Sequence, residues 1–161
     1  MEFSLPAILR ALVEGRVEFV LVGGVAAVLQ GVPIQTYDVD IVFSQEADNL
    51  TRALAVLESL DAVFRIQPSR RLRPSVSHLS GSGHINLLSK YGPLDLLTNV
   101  GENLRYGDLI GLSQPMRIGE GIVINVLNLK TLIDLKEQLG GEKDLAMLPI
   151  LRQTLRESGG K

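Results

Sequence analysis

The sequence predicts an α/β fold in which helices flank a mixed β-sheet, with two further helices at the C-terminal end. Three observations support this prediction. Strand-length and helix-length segments are mixed through the first 60 residues, two hairpin patterns follow, and two helical patterns close the chain. This is not the regular strand–helix alternation of a parallel sheet. With 161 residues and no proline- or serine-rich linker, we expect one domain, residues 1–161, with its core at about 17–127 and C-terminal helices at 128–158.

The composition is that of an ordinary globular domain and excludes several kinds of site. Apolar residues make up 45% of the chain and charged residues 21%, both near the globular average. The absence of cysteine excludes disulfides, thiolate metal sites and cysteine nucleophiles. The net charge of −2 argues against a dedicated nucleic-acid binder but allows a local basic patch. No apolar run reaches the roughly 18 residues of a membrane span, and the N-terminus lacks a signal-peptide pattern. We therefore expect a soluble cytoplasmic protein without membrane contact.

The first half of the chain divides into five predicted elements. Residues 17–22 are an apolar run too short for a helix. Residues 37–43 alternate in the period of a strand, whereas residues 46–60 carry apolar side chains at helical spacing. The predicted elements are a helix beginning at Ser4 and Pro6, a strand at 17–22, a helix at 25–30 that Gly31 and Pro33 end, a strand at 37–43, and a helix at 46–60 capped by Ser44.

The second half begins with an irregular stretch and continues with two hairpins. Residues 65–82 hold arginines, prolines and glycines without a clear period, which predicts a loop. Hairpins are predicted at 85–89 with 94–98, and at 116–118 with 122–127. Helices at 129–139 and 142–157 finish the chain, and Pro149 should kink or split the second.

Two aspartates interrupt the predicted strand at 37–43. Asp38 and Asp40 stand at positions i and i+2, so a strand places both carboxylates on one face, about 6.6–6.8 Å apart. Carboxylates this close repel unless one is protonated or a cation bridges them. A pair of divalent ions held by such acids is typical of phosphoryl chemistry. Asp95, an acid within the apolar run GPLDLLT, is the candidate third ligand. The alternative is the exposed face of an edge strand.

The glycine pair before these acids favours the functional interpretation. Gly23 and Gly24 stand where the strand at 17–22 ends and a helix begins. Such a turn allows a phosphate to approach backbone N–H groups at the positive end of a helix. The alternative interpretation is a tight turn without a ligand.

The combined pattern resembles that of the nucleotidyltransferase (DNA polymerase β-like) superfamily. A glycine pair, thirteen residues, an Asp-x-Asp pair and a later strand acid occur in this order. The string GGVAAVLQGVPIQTYDVDIV is most similar to the small bacterial branch that contains AbiEii-type toxins and minimal nucleotidyltransferases, and Gly31 and Thr36 fit it. The resemblance continues through GPLDLL and LKTLIDLKEQLGGEKDLAML, so it extends from about residue 19 to 151.

The resemblance implies a nucleotidyltransferase-like fold and a role for each matching position. The implied nucleotide-binding residues are Gly23, Gly24 and Thr36, and the implied catalytic and metal-binding residues are Asp38, Asp40 and Asp95. The three acids would bind two Mg²⁺ ions, for which Mn²⁺ can substitute, and Asp95 would help to activate an acceptor hydroxyl. This chain departs from the pattern of the family at two positions. Many relatives have Arg where this chain has Ile34, and Ser where it has Val25. A cation and a hydroxyl near the phosphates are therefore absent here.

Two lysines in the C-terminal helices are candidate phosphate ligands. Lys136 follows Leu132 and Ile133 on the inward stripe of the helix at 129–139, so it either snorkels to solvent or faces an anion. If a nucleotide binds nearby, we expect Lys136 to face one of its phosphates. The resemblance adds Lys143, whereas the helix start explains Asp144.

The arginines of the irregular stretch form the basic cluster of the chain. Arg65, Arg70, Arg71 and Arg73 belong either to a solvated loop or to an acceptor-binding lip that contacts RNA phosphates or an acidic protein surface. His78 and His84, six residues apart, do not match a metal motif and are expected in loops.

The leading functional interpretation is an enzyme that transfers a nucleoside monophosphate from an NTP to a hydroxyl of RNA, a protein or a small molecule. A non-catalytic nucleotide-binding or interaction module of the same fold, such as a toxin–antitoxin component, is the alternative. A dinucleotide-binding fold fails because the chain lacks a full G-x-G-x-x-G, and two acids exceed what one ribose needs.

Overall fold

The computed structural model describes residues 3–159, which form one seven-stranded mixed sheet with helices packed against it. The outermost residues of the expected 1–161 domain lie outside this range. The strands are β1 Phe19–Val22, β2 Val39–Phe43, β3 Val63–Phe64, β4 His84–Ser89, β5 Gly92–Leu97, β6 Ser113–Arg117 and β7 Val123–Leu127. Their order in the sheet is β3-β4-β5-β2-β1-β7-β6. Strand β2 runs parallel to β5 and antiparallel to β1, which confirms a mixed sheet.

The helices account for most of the remaining chain. They are α1 Leu5–Glu14, α2 Gly23–Leu29, α3 Ala47–Ser59, α4 Val76–Leu79, α5 Tyr106–Leu109, α6 Leu129–Leu139 and α7 Glu142–Glu157. Short 3-10 helices lie at Pro68–Arg70 and Ile110–Leu112. Helices α6 and α7 pack on each other and α2 contacts α6, so the C-terminal helices meet the glycine turn of the sheet. Within residues 3–159, no helix is both long and apolar enough to cross a membrane; a cytoplasmic location stays a prediction.

Local sequence signals explain where the longer helices begin and end. The Ser4 hydroxyl accepts a hydrogen bond from the Ala7 amide at 3.2 Å, as an N-cap does. The Asn128 carboxamide accepts one from the Thr131 amide at 2.8 Å and caps α6 in the same way. Gly140, with φ +64°, ends α6 in the left-handed conformation. Helix α1 lies before the expected core of residues 17–127, yet it buries Ile8, Leu9 and Leu12 in the shared core.

The predicted strand at 37–43 is two residues too long. Strand β2 begins at Val39, and Asp38 is an exposed residue in front of it. On one side, Val39 pairs with Leu94 of the parallel strand β5. The residue before Leu94 is Pro93, which has no N–H for a further ladder bond opposite Asp38. On the other side, β1 ends where Gly23 begins α2. Both neighbours therefore stop supporting the strand before Asp38.

Other boundaries also differ from the sequence prediction. Helix α2 begins directly at Gly23, and the N-cap of α3 is Glu46, whereas the Ser44 hydroxyl accepts from the Glu46 amide at 3.3 Å. His84 is the first residue of β4 and not part of a loop. Helix α7 continues through Pro149 without a break, with Leu148 and Leu151 buried against the core. Packing of these leucines offsets the one backbone hydrogen bond that proline removes.

A buried asparagine joins the two strands that lead to the site. Asn49 of α3 has no solvent exposure. Its carboxamide oxygen accepts from the Glu18 amide at 2.7 Å, and its nitrogen donates to the carbonyls of Glu18 at 3.1 Å and Ser44 at 2.9 Å. These bonds tie the start of β1 to the end of β2, which holds the two strands in register.

Candidate functional site

Two carboxylates stand side by side at the centre of the sheet. Asp40 of β2 and Asp95 of β5 are direct partners in the parallel ladder, so their side chains share one face on strands about 4.8 Å apart. Asp95 is 9% exposed and Asp40 is half-buried. On the other side of Asp40, Val22 is its partner at the end of β1. The sheet thus brings together two acids that are 55 positions apart in the sequence.

Crowding of these acids changes the proton affinity of Asp40. Burial raises the pKa of the Asp40 carboxyl to about 7, helped by a hydrogen bond with Asp95 and by the negative charges of Asp95 and Asp38. The positive charge of Arg65 acts in the opposite direction. Asp38 therefore lies within electrostatic reach of Asp40, although it is exposed and outside the strand. A nearby cation would relieve this repulsion.

Arg65 supplies a positive charge directly at the acids. Its Nη2 donates to Oδ1 of Asp95 at 2.7 Å. The backbone explains the reach: Phe64 pairs with Leu87, and the Arg65 amide donates to the Asn86 carbonyl at 3.0 Å. Arg65 thus continues the register beside Asn86, which is itself the partner of Asp95. Its Nη1 is buried and has no hydrogen-bond partner.

The glycine pair is required because two side chains occupy the space beside it. A Cβ on Gly23 would stand 2.3 Å from Oδ2 of Asp40, and one on Gly24 would stand 2.7 Å from Oγ1 of Thr36. Gly23 also has φ +71°, which disfavours any side chain. The glycines therefore let Asp40 and Thr36 lie against the backbone where β1 turns into α2.

A cavity of about 460 Å³ opens beside this turn, a volume typical of small-molecule sites. It is lined by every nucleotide-binding residue that the sequence predicts, Gly23, Gly24, Thr36, Lys136 and Lys143. Apolar side chains complete it: Ile34 from the segment between α2 and β2, and Ala27, Leu132, Ala146, Met147 and Leu151 from α2, α6 and α7. Lys136 lies on the inward side of α6, and its Nζ pairs with Oδ1 of Asp144 at 3.1 Å. Its ammonium group thus has a protein anion as partner.

Val25 and Ile34, the two departures noted in the sequence, are apolar parts of neighbouring cavities. Val25 is buried and lines a second cavity of about 500 Å³ between α1, α2 and β6. Ile34 lines both cavities. The segment that carries Ile34 and Thr36 is therefore the wall between them, and Ile34 presents an alkyl group to both cavities.

The donor chemistry of the acids fits a divalent ion that arrives with its own ligands. Across the described residues, no group of three or more His, Cys, Asp or Glu side chains is arranged to hold a metal ion. Mg²⁺ often takes only one or two carboxylates and fills its shell with water and substrate phosphates. Asp38 and Asp40 supply such oxygen donors, whereas Asp95 is engaged by Arg65.

The remaining predicted residues lie away from the acids. Arg71 pairs with Asp61 at 2.6 Å, and Arg73 contacts the other oxygen of the same carboxylate. Arg70 is exposed in the same loop. His78 lies in the short helix α4, where its Nδ1 accepts from the Ser75 amide at 2.9 Å. His78 is therefore in a helix and not in the expected loop, and Arg70, Arg71 and Arg73 are exposed.

Sequence reasoning placed Arg65 in the basic cluster and did not assign it to the acidic site. Arg65 directly follows a two-residue strand, Val63–Phe64. That strand is too short to recognise from its pattern, so its register with β4 was not available from the sequence. Asn86 lies in the predicted strand at 85–89, but the hairpin pattern does not fix which residues face each other, so the pairing of Asn86 with Asp95 was not predicted.

The comparisons with known proteins support the fold. No protein-family model matches the chain, and no curated protein matches it in sequence. Among solved structures, a protein of Thermotoga maritima named a "putative nucleotidyltransferase" matches with a TM-score of 0.55 and 18% identity. The match covers 95% of this chain and 91% of that chain. Similarity at this identity shows a shared fold, a mixed sheet flanked by helices.

Proposed function

We propose that the protein is a nucleotidyltransferase that moves a nucleoside monophosphate from an NTP to a hydroxyl acceptor with the help of Mg²⁺ or Mn²⁺. One observation carries the proposal. Asp40 and Asp95 are direct neighbours in paired strands, and Asp40 packs on Gly23, which lines a cavity of about 460 Å³ together with Lys136 and Lys143. Partly desolvated acids next to a cavity that carries lysines are typical of phosphoryl-transfer sites.

In this proposal the cavity holds the nucleotide. The apolar side chains that line it offer a surface for the base and sugar, while Lys136 and Lys143 offer positive charge for the phosphates. The Thr36 hydroxyl, which lies next to Gly24, is a hydrogen-bond donor at the same wall. Lys136 would exchange its contact with Asp144 for a phosphate oxygen.

In the proposed reaction the acids act next to Gly23, the cavity residue that Asp40 contacts. Asp38 and Asp40 would hold the metal, which when bound stabilises negative charge on the α-phosphate. The acceptor oxygen forms a bond to the α-phosphorus, the bond from that phosphorus to the bridging oxygen breaks, and pyrophosphate leaves. Asp95 is the proposed acceptor of the hydroxyl proton, because it is the acid held most firmly in place.

The loop with Arg70, Arg71 and Arg73 is the proposed contact for a polyanionic acceptor such as RNA, or for an acidic protein surface. Arg71 and Arg73 would leave Asp61 to make that contact, and such exposed ion pairs are weak. The resemblance to AbiEii-type toxins extends the proposal to a role in a toxin–antitoxin pair.

Calorimetric titration of the four NTPs in the presence of Mg²⁺ tests the proposal. We expect wild type to bind at least one NTP with metal dependence, and Asp38→Asn/Asp40→Asn to bind it at least about tenfold more weakly. Asp61→Asn removes a carboxylate outside the site and should bind as wild type does. The NTP found in this way is then used, labelled on the α-phosphate, in a transfer assay. Absence of binding by wild type would overturn the proposal.

A non-catalytic nucleotide-binding module is the second candidate. The Arg65–Asp95 pair and the apolar Ile34 favour it, because one acid is already neutralised and one wall lacks a cation. Metal-dependent NTP binding without transfer of label to RNA, to the protein itself or to small hydroxyl compounds would select this candidate.

A further inference from the structure

Arg65 is built into the same row of the sheet as the acids. The row runs across five strands or strand ends: Arg65 beside Asn86, then Asp95, Asp40 and Val22. Side chains that are partners across neighbouring strands share one face of the sheet. The guanidinium passes over Asn86 and reaches Asp95 two strands away. Its position is thus set by backbone register and not by a chance rotamer of a loop residue.

The ion pair is shielded from solvent more than the other ion pairs of arginine in the described residues. The Asp95 side chain is 12% exposed and that of Arg65 is 32% exposed, whereas the pairs that Asp61 makes with Arg71 and Arg73 are about half exposed on both sides. A short, shielded pair between a guanidinium and a carboxylate is strong and hard to replace. Asp95 is therefore poorly available to a second cation.

The pairing at the site agrees with this conclusion. Of the three acids, Asp95 is held by Arg65, which leaves Asp38 and Asp40 as the carboxylates that a divalent ion can use. A second divalent ion would have to bind close to a guanidinium that cannot lose its proton, which is unfavourable by like-charge repulsion.

We propose that Arg65 is the second cation of the site: it stands beside Asp95 in the place of a second divalent ion, so that the site binds one metal ion through Asp38 and Asp40. This inference rests on the proposed function and replaces the two-ion expectation for this chain.

Counting bound Mn²⁺ tests the inference without measuring activity. Protein is dialysed to equilibrium against Mn²⁺ and the α,β-methylene analogue of the NTP selected by calorimetry. The Mn²⁺ in excess on the protein side is counted by electron paramagnetic resonance. We expect one Mn²⁺ per chain for wild type, two for Arg65→Gln, and one again for Arg65→Lys, which keeps the charge. Arg152→Gln removes an arginine whose partner is Glu137 on the surface and should keep the wild-type count.

The outcomes separate this inference from the proposed function. Two Mn²⁺ ions on wild type would overturn the role of Arg65 and leave the proposed function standing, and this result needs no variant to fold. A count of one for both wild type and Arg65→Gln, with Arg65→Gln folded by circular dichroism, would also overturn it. No Mn²⁺ on wild type would overturn the proposed function together with the inference.

Discussion

At the scale of single residues, burial and neighbouring carboxylates make the ionised form of Asp40 unfavourable, and a bound cation would stabilise it. Asp40 is pressed between the backbone of Gly23 and the carboxylate of Asp95. Burial, first of all, raises its pKa to about 7 from the 3.8 of a free aspartate. Below pH 3.8 the Asp40 carboxyl is protonated in both the folded and the unfolded chain, so its burial does not lower the free energy of unfolding. Between pH 3.8 and 7 only the folded chain keeps the proton, so stability falls as pH rises, and above pH 7 the full penalty is present.

Asp40→Asn should therefore stabilise the metal-free protein at alkaline pH and not at acid pH. We expect the free energy of unfolding to rise by about 1–2 kcal/mol at pH 8, a value reduced from the full shift because the carboxyl is partly solvated, and to change little at pH 4. Urea unfolding in the presence of a chelator at both pH values measures it. Glu102→Gln, at an exposed turn, removes the same charge elsewhere. An equal effect of both variants would contradict the explanation.

At the scale of elements, helix α6 determines how the cavity wall is built. Its buried side holds Leu132 in the core, and one turn later Lys136 lines the cavity. The first turn is fixed by the Asn128 cap, with a hydrogen bond of 2.8 Å to the Thr131 amide. The last turn ends at Gly140 in the left-handed conformation.

Removing the cap of α6 should weaken the protein by a predictable amount. Asn128→Ala leaves the first-turn N–H groups without a side-chain acceptor, so we expect a loss of about 1 kcal/mol in the free energy of unfolding. Asn128→Asp keeps an acceptor and should lie within a few tenths of a kcal/mol of wild type. Urea unfolding of the three proteins gives the comparison. If the alanine and aspartate variants are equally stable, the cap contributes nothing.

At the scale of the whole molecule, one hydrophobic core connects the sheet with both helical ends. Leu21 of β1, Leu12 of α1 and Leu132 of α6 belong to the same buried cluster. Helices that share a core with the sheet are expected to unfold together with it. The division into a core at 17–127 and separate helices at 128–158, expected from the sequence, describes the order of elements and not separate units of packing.

A cooperative single domain predicts one unfolding transition. Leu21→Ala and Leu132→Ala should each lower the free energy of unfolding by about 2–5 kcal/mol, and each should shift the whole transition. Far-UV circular dichroism and tyrosine fluorescence, recorded in the same urea series, should give coincident curves for wild type and both variants. An early loss of helical signal in Leu132→Ala, with the sheet still folded, would show that α6 and α7 form a separate unit.

The sequence by itself determined the kinds and order of the elements and most of the candidate residues. The period of two at residues 37–43, the helical spacing at 46–60 and the turn glycines are local signals, because each depends on neighbours only a few positions away. They predicted the mixed sheet, the hairpin of β4 and β5, and the two C-terminal helices. They also selected Asp40, Asp95, Gly23 and Lys136, since residue types that are costly to bury or that relax the backbone stand out in an apolar pattern, whereas Lys143 came from the family resemblance.

Only the tertiary structure decided which of these residues meet and what they meet. The pairing of Asp40 with Asp95 and the reach of Arg65 across Asn86 depend on strand register, which is set by the packing of the whole sheet. The shortening of β2 before Asp38 depends on Pro93, a residue of another strand. The glycine pair makes room for Asp40 and Thr36 through contacts made after folding. These contacts join distant positions, and their energies depend on three-dimensional packing that no local pattern carries.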